Sequence, residues 1–212
     1  MGRRRRPLPT GGVRRIDVPV PDAQASSSVV LESILGKERA LLAAEEVARE
    51  LGLAPGAPRN VSSALALTKM GRDPGSVAAS LSWGEFEEYC AMVIAAAGYS
   101  VTRNVRLRKP TRQIDIVAES PSLVLSVDCK HWRRTAGPAG LEALALAQEE
   151  RTRAYAGRAR PGGAPCLPVL LTMLDNQVRV VAGVPVVPLQ ALRGFLSSVS
   201  RFDEGLSLVS AG

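Results

Sequence analysis

Two neighbouring strand-like runs carry charged residues inside otherwise apolar sequence, and this pattern constrains the fold most. The runs are 113–119 (QIDIVAE) and 123–130 (LVLSVDCK), joined by a short Pro/Ser turn. Asp115 lies in the first run, whereas Asp128 and Lys130 lie two residues apart in the second and so share one face. An antiparallel hairpin in this register places Asp115 beside Asp128. The residues between them would point into the core: Ile114, Ile116, Val127 and Cys129.

A pair of adjacent carboxylates indicates a cation site. Like charges at this distance repel, so each carboxylate is costly unless a cation lies between them. Oxygen ligands favour a hard ion such as Mg²⁺ or Mn²⁺, and the backbone carbonyl of Cys129 is a candidate further ligand. Lys130 would lie next to this ion, where it could orient an attacking water and stabilise charge on a phosphate.

The composition excludes several classes of protein. The single histidine, His131, excludes multi-histidine metal sites. The three cysteines form no CxxC pair, which excludes a zinc ribbon and favours a reduced, intracellular setting. No apolar run approaches the roughly 20 residues that span a bilayer, so no membrane partner is expected. The net charge of +7 favours a polyanionic partner, although arginine-rich genome composition would also explain it.

The sequence pattern divides the 212 residues into four segments. Residues 1–28 are basic and poor in apolar surface, which predicts a disordered tail. Residues 29–80 predict a small helical domain, 81–200 an α/β domain and 201–212 a C-terminal tail. From residue 82 the element order is α-β-β-β-α-β-β-α, with strands at 166–173 and 178–183. This order predicts an α/β fold with helices around a mixed sheet.

The helical segment 29–80 contains a pattern similar to a helix-turn-helix unit. Helical sequence lies on both sides of the turn-like APGAP at 54–58. A helical packing domain without DNA contact explains the same pattern, since many small bundles share it. In the DNA-binding interpretation, the second helix exposes Arg59, Asn60, Ser62, Ser63 and Lys69.

The segment 81–98 predicts a helix that carries a third acid. Ser82 and Glu85 have the spacing of a capping box, and Gly98 is suited to end the helix. Phe86 lies on the apolar stripe, and Glu87 follows it directly.

Three stretches together resemble the PD-(D/E)xK nuclease superfamily, in particular its Mrr-type restriction endonuclease and archaeal Holliday-junction-resolvase-like branch. They are GEFEEYCAMVIAAAGYSV, QIDIVA and LVLSVDCKHW, and the resemblance covers about 81–199. By this resemblance, Glu87 matches the acid of the first core helix and Asp115 the metal-binding aspartate. Asp128 matches the second acid, where many Mrr-type members have glutamine, and Lys130 matches the motif lysine. The proline that usually precedes the first aspartate is absent.

The resemblance implies a restriction-endonuclease-like core and a metal-dependent endonuclease that hydrolyses phosphodiester bonds in DNA. Asp115 and Asp128 would hold Mg²⁺ or Mn²⁺, and Glu87 would contribute directly or through water. Mrr-like restriction, DNA repair and junction processing all remain open. A DNA substrate implies a cytoplasmic, nucleoid-associated location. Many relatives act as dimers, so a homodimer is also open.

Further residues are candidates for auxiliary roles. Gln148 matches a glutamine that often helps the site in related nucleases, although it could equally be a buried hydrogen-bonding residue. His131 could contact DNA or simply finish its strand. A basic stretch before the Asp115 strand could hold the DNA backbone, or could be a solvated loop. Its members are Arg103, Arg106, Arg108, Lys109 and Arg112.

Each assignment has a plain structural alternative. Glu87 could be a solvated surface acid, and Asp115 could pair with Arg103 or Arg106. Asp128 and Lys130 could pair across an exposed strand edge. At the level of function, the alternatives are a nuclease fold that mainly binds DNA as a repair or regulatory factor, and a helix-turn-helix transcription factor.

Overall fold

The computed structural model describes residues 25–51, 59–108, 111–159, 163–199 and 205–210. Lys109, the turn 54–58 and most of the predicted tail 1–28 lie outside the described residues. No helix in the described ranges is both long enough and apolar enough to cross a membrane.

The elements from residue 82 follow the predicted order as far as the strand after the second helix, and one strand more than predicted precedes the last helix. The helices are α1 (Ser27–Leu35), α2 (Lys37–Glu50), α3 (Arg59–Lys69), α4 (Pro74–Ala78), α5 (Trp83–Ala96), α6 (Pro138–Ala159) and α7 (Leu192–Ser198). The strands are β1 (Ser100–Leu107), β2 (Arg112–Glu119), β3 (Val124–Lys130), β4 (Cys166–Thr172), β5 (Val180–Val181) and β6 (Val184–Pro188). A 3₁₀ turn, Leu189–Ala191, precedes α7.

The six strands form a mixed sheet in the order β1-β2-β3-β4-β6-β5. β1, β2 and β3 are antiparallel to one another, whereas β3, β4 and β6 are parallel. The predicted fold class is therefore confirmed. The strand predicted at 178–183 is confirmed only for the two residues of β5, and the strand that pairs with β4 is β6, which was not predicted. The sequence pattern does not predict β6 because it contains Pro185 and Pro188, and proline is unusual within a sheet.

One hydrophobic cluster joins the N-terminal helices to the sheet. It includes Leu31 of α1, Val61 of α3, Phe86 of α5 and Leu171 of β4, all at most 1% exposed. Apolar surface removed from water drives folding, so this cluster binds the helical segment to the α/β part.

The core-facing residues of the β2–β3 hairpin divide between two clusters. Ile116 and Cys129 belong to the first cluster, but Ile114 lies in a second one with Val117 and Tyr155. The expectation that Ile114 and Ile116 share one side is therefore wrong. Asn104 of β1, which faces this stretch of β2, has φ of 54°, and this left-handed backbone interrupts regular alternation.

α3 is largely buried within the helical segment. All its residues from 61 to 67 are buried, because α1, α2 and α5 pack around it. Ser62 and Ser63 are 5% and 2% exposed, so the expectation that they face solvent is wrong. The other three candidates are held by neighbours: Asn60 by Ser28 and Glu85, Arg59 by Glu32, and Lys69 by Glu50. Arg59 and Lys69 are exposed as predicted, with side chains 46% and 58% exposed, but the middle of α3 is not, and the helix-turn-helix interpretation stays a prediction.

The fold extends into both predicted tails. α1 begins at Ser27, which is 1% exposed and hydrogen-bonds the Ser80 hydroxyl at 2.6 Å. Near the C-terminus, Val209 exchanges two backbone hydrogen bonds of 2.8 Å with Cys166 of β4. Ser27 of the predicted N-terminal tail and Val209 of the predicted C-terminal tail therefore both contact the folded part of the chain.

Candidate active site

The β2–β3 hairpin brings Asp115 and Asp128 together. The register pairs Ile116 with Val127, and the two aspartates are the next residues along each strand. The negative charge of Asp128 is close enough to help raise the pKa of Asp115. The two side chains are 7% and 5% exposed. The predicted register is confirmed, and two carboxyl groups share a buried position.

Asp115 is anchored by the opposite strand. Its Oδ2 accepts a hydrogen bond of 2.8 Å from the backbone N–H of Cys129. Burial raises the pKa of Asp115, and the charge of Asp128 raises it further, whereas the Cys129 hydrogen bond and Lys130 lower it. Arg103 is paired with Glu88 at 3.5 Å rather than with Asp115, so the structural alternative of an Asp115–Arg103 salt bridge is wrong.

Two cations meet one oxygen of Asp128. Nζ of Lys130 lies 2.7 Å from Asp128 Oδ2, and Nη2 of Arg151 lies 3.3 Å from the same oxygen. The alternative of an Asp128–Lys130 pair across an exposed edge is half right. The ion pair exists, but β3 lies between β2 and β4 and its residues 124–129 are buried.

Glu87 reaches this region from α5. The capping box predicted for Ser82 and Glu85 is present, and it fixes the start of the helix one turn before Glu87. Glu87 is 2% exposed and its Oε1 is buried without a hydrogen-bond partner. Burial, followed by the charge of Asp115, raises the pKa of Glu87 to about 7. The alternative of a solvated surface acid is therefore wrong.

Gln148 and Arg151 extend the site onto α6. Gln148 is fully buried, and its Nε2 donates to the carbonyl oxygen of Ser126 at 2.7 Å and to its hydroxyl at 3.1 Å. Gln148 Oε1 accepts a hydrogen bond of 2.8 Å from Nε of Arg151. Sequence reasoning missed Arg151, because nothing in a single sequence separates it from Arg153 two residues later.

His131 follows Lys130 directly and packs against α4 and α5. Its ring stacks on Phe86 with centroids 4.8 Å apart, and Nε2 lies 2.9 Å from the carbonyl oxygen of Ala78. The residue joins the end of β3 to α4 and α5, so its contacts are structural. Trp132 is 37% exposed, and Nζ of Lys130 lies 5.7 Å from the centre of its ring.

The predicted DNA-binding arginines differ in their availability. Arg103 is held by Glu88 and by the carbonyl oxygen of Gly84, and Arg112 is paired with Glu150. Arg106 and Arg108 have exposed side chains. Lys109 lies outside the described residues.

The oxygen ligands suit a hard divalent cation. Asp115 and Asp128 offer adjacent carboxylates whose mutual repulsion a cation would relieve, and the unpartnered Glu87 Oε1 is a further oxygen. Within the described ranges, no group of three or more His, Cys, Asp or Glu side chains is arranged to hold a metal ion. Glu87 therefore does not join the aspartates in a three-carboxylate ligand set in this structure.

Comparison with known proteins identifies the domain. The family model of the Mrr catalytic domain, described as a restriction endonuclease, matches residues 78–157. The chain thus carries an Mrr-type restriction endonuclease domain, which supports a nuclease function and confirms the resemblance seen in the sequence. The match runs from the end of α4 nearly to the end of α6, and it includes all four candidate catalytic residues. No curated protein and no solved structure matches the chain.

Proposed function

We propose that the protein is a divalent-metal-dependent endonuclease that hydrolyses phosphodiester bonds in DNA. The observation that carries the proposal is the buried pair Asp115–Asp128 with Nζ of Lys130 at 2.7 Å from Asp128. A structural ion pair would need one acid and one base. Here both cations of the site, Lys130 and Arg151, contact Asp128, and the charge of Asp128 still raises the pKa of the adjacent Asp115. A divalent cation between the two carboxylates would relieve this repulsion.

Each residue of the site has a role in this proposal. Asp115 and Asp128, with the backbone carbonyl of Cys129, would hold Mg²⁺ or Mn²⁺, and Glu87 would act through a water molecule. The bound cation would supply Lewis acidity toward the phosphate and acidify a bound water. Lys130 would hydrogen-bond the attacking water and hold it in line with the bond from phosphorus to the leaving oxygen.

A cleavage assay tests the proposal. Supercoiled, branched and methylated DNA would be incubated with the protein and Mg²⁺, Mn²⁺ or EDTA. We expect wild-type protein to cut at least one substrate with a divalent cation and none with EDTA. Asp128→Asn and Lys130→Ala should each lower the rate by about 10²-fold or more. Glu45→Gln, a charge change on the exposed face of α2, is the matched control.

The substrates also separate the biological roles. Preferential cutting of methylated DNA would support restriction, whereas preferential cutting of branched DNA would support repair or junction processing. Binding of DNA without cutting in any cation would overturn the proposal and favour a nuclease fold that only binds DNA. Equal cutting by wild type and Lys130→Ala would overturn the assignment of the site.

A further inference from the structure

Arg151 is a cation of the site that the sequence motif does not include. It lies on α6, and its guanidinium has two different contacts. Nε donates to Gln148 Oε1 at 2.8 Å, while Nη2 lies 3.3 Å from Asp128 Oδ2. The first contact is a well-formed hydrogen bond. The Nη2 atom of Arg151 is buried but makes no hydrogen bond of normal geometry, so it is still free to donate one.

Asp128 does not need Arg151 for neutralisation, because Lys130 already lies 2.7 Å from the same oxygen. When ionised, the side chains of Asp115, Asp128, Lys130 and Arg151 together carry no net charge. A divalent cation on the two aspartates would make this group positive by two charges, or by one when Glu87 is also ionised. Binding of an anion would then be favoured, and the anion that a nuclease brings to this place is a phosphate.

We propose that Arg151 exchanges partners during the reaction cycle. In the cation-free protein it pairs with Asp128. When a divalent cation binds the Asp128 carboxylate, the Nη2 atom of Arg151 turns away from Asp128 and donates a hydrogen bond to a non-bridging oxygen of the scissile phosphate. This inference rests on the proposed function, since it requires the aspartates to bind a cation and the site to receive a phosphodiester.

The surroundings of Arg151 suit such an exchange. Gln148 holds Nε, and Gln148 is itself fixed by two hydrogen bonds to Ser126 of β3. The base of the guanidinium therefore stays in place while the partner of its outer nitrogen changes. A planar guanidinium can keep one hydrogen bond and offer its other donors to a phosphate, which a lysine ammonium on a flexible chain does less well. The Arg151 side chain as a whole is 23% exposed although its Nη2 atom is buried, so this atom has to turn outward to reach an incoming substrate.

Binding of Mn²⁺ alone, followed by electron paramagnetic resonance, tests the first half of the exchange. The variants are Arg151→Ala and Arg151→Gln, and the second retains a polar side chain in case the first fails to fold. Arg153→Ala is the matched control, because Arg153 lies on the same helix, is 67% exposed and pairs with Glu149. The Arg151 guanidinium competes with Mn²⁺ for Asp128, so its removal should tighten Mn²⁺ binding about fivefold in both Arg151 variants. The affinity of Arg153→Ala should equal that of wild type. Unchanged Mn²⁺ affinity in a folded Arg151 variant would overturn the inference.

Steady-state kinetics of DNA cleavage test the second half of the exchange, the contact of Arg151 with the scissile phosphate. Arg151→Ala should lower kcat by about 10²-fold despite its tighter Mn²⁺ binding, and Arg151→Lys should recover part of this loss. A purely structural role predicts instead a lower melting temperature with kcat unchanged in the folded fraction, and that result would overturn the inference. If wild-type protein binds Mn²⁺ and cuts DNA while Arg151→Ala equals it, only the inference about Arg151 fails. If wild-type protein binds no Mn²⁺, the inference and the proposed metal dependence both fail.

Discussion

Oδ2 of Asp115 accepts a hydrogen bond of 2.8 Å from the backbone N–H of Cys129, the residue between Asp128 and Lys130. This bond links the two strands where their acidic side chains meet. It also occupies one oxygen of Asp115 and thereby orients the carboxylate. The register of the hairpin and the geometry of the candidate site are consequently fixed by the same contact.

Asp115→Asn should separate folding from catalysis. An amide oxygen can still accept the Cys129 hydrogen bond, and the variant loses the repulsion from Asp128 that helps raise the pKa of Asp115. We expect a melting temperature at pH 8 equal to or above that of wild type, with cleavage lowered by about 10²-fold or more. Asp115→Ala should lose both cleavage and stability. Wild-type cleavage by Asp115→Asn would remove this residue from the proposed site.

Glu87 should make the protein less stable as the pH rises. The folded-state pKa is about 7, above the ordinary value of 4.5, so the folded state holds this proton more tightly than the unfolded state. Stability is therefore fully present below about pH 4.5 and is lost as the pH rises through 7, by up to about 3 kcal/mol. Urea unfolding from pH 5 to 8 should show a shallower decline in Glu87→Gln. The control Glu45→Gln should follow wild type, and equal slopes in all three proteins would contradict the prediction.

Gln148→Ala should destabilise the fold markedly. The substitution removes a fully buried side chain and leaves the Ser126 carbonyl and Arg151 Nε without this partner. We expect a loss of about 2–4 kcal/mol in the free energy of unfolding, measured by urea titration. Gln190→Ala, at an exposed position, should change it by less than about 0.5 kcal/mol. Similar losses in the two variants would show that the Gln148 network contributes little.

Arg106 and Arg108 should account for part of the salt dependence of DNA binding. Both side chains are exposed, and β1 leads directly to the Asp115 strand. Each phosphate contact contributes about 0.9 to the slope of log affinity against log salt concentration, so the double alanine variant should lower the slope by about 2. Binding of a DNA duplex over a range of salt concentrations measures this slope. Arg39→Ala on α2 should leave it unchanged, and an unchanged slope in the double variant would place the DNA elsewhere.

The hairpin could be predicted from the sequence because its signals are local. Two apolar runs, a short turn between them and charged residues inside each run indicate the register, and the register places Asp115 beside Asp128. The same holds for α5, whose capping residues Ser82 and Glu85 are three positions apart.

Features that depend on distant parts of the chain could not be predicted in this way. Arg151 reaches Asp128 only because α6 packs on β3, and no local pattern records that packing. The burial of Ser62 and Ser63 likewise results from three helices around α3. β6 was missed because its prolines contradict local strand propensity, whereas pairing with β4 overrides it.

The hydrophobic cluster that joins Leu31 and Val61 to Phe86 and Leu171 has a consequence for the evolution of this chain. The matched family domain begins at residue 78, yet part of the apolar surface of α5 is covered by helices that precede it. A gene fusion that transferred only the matched segment would expose this surface and favour aggregation. The helical segment and the nuclease domain should therefore be inherited as one unit and not exchanged as separate cassettes.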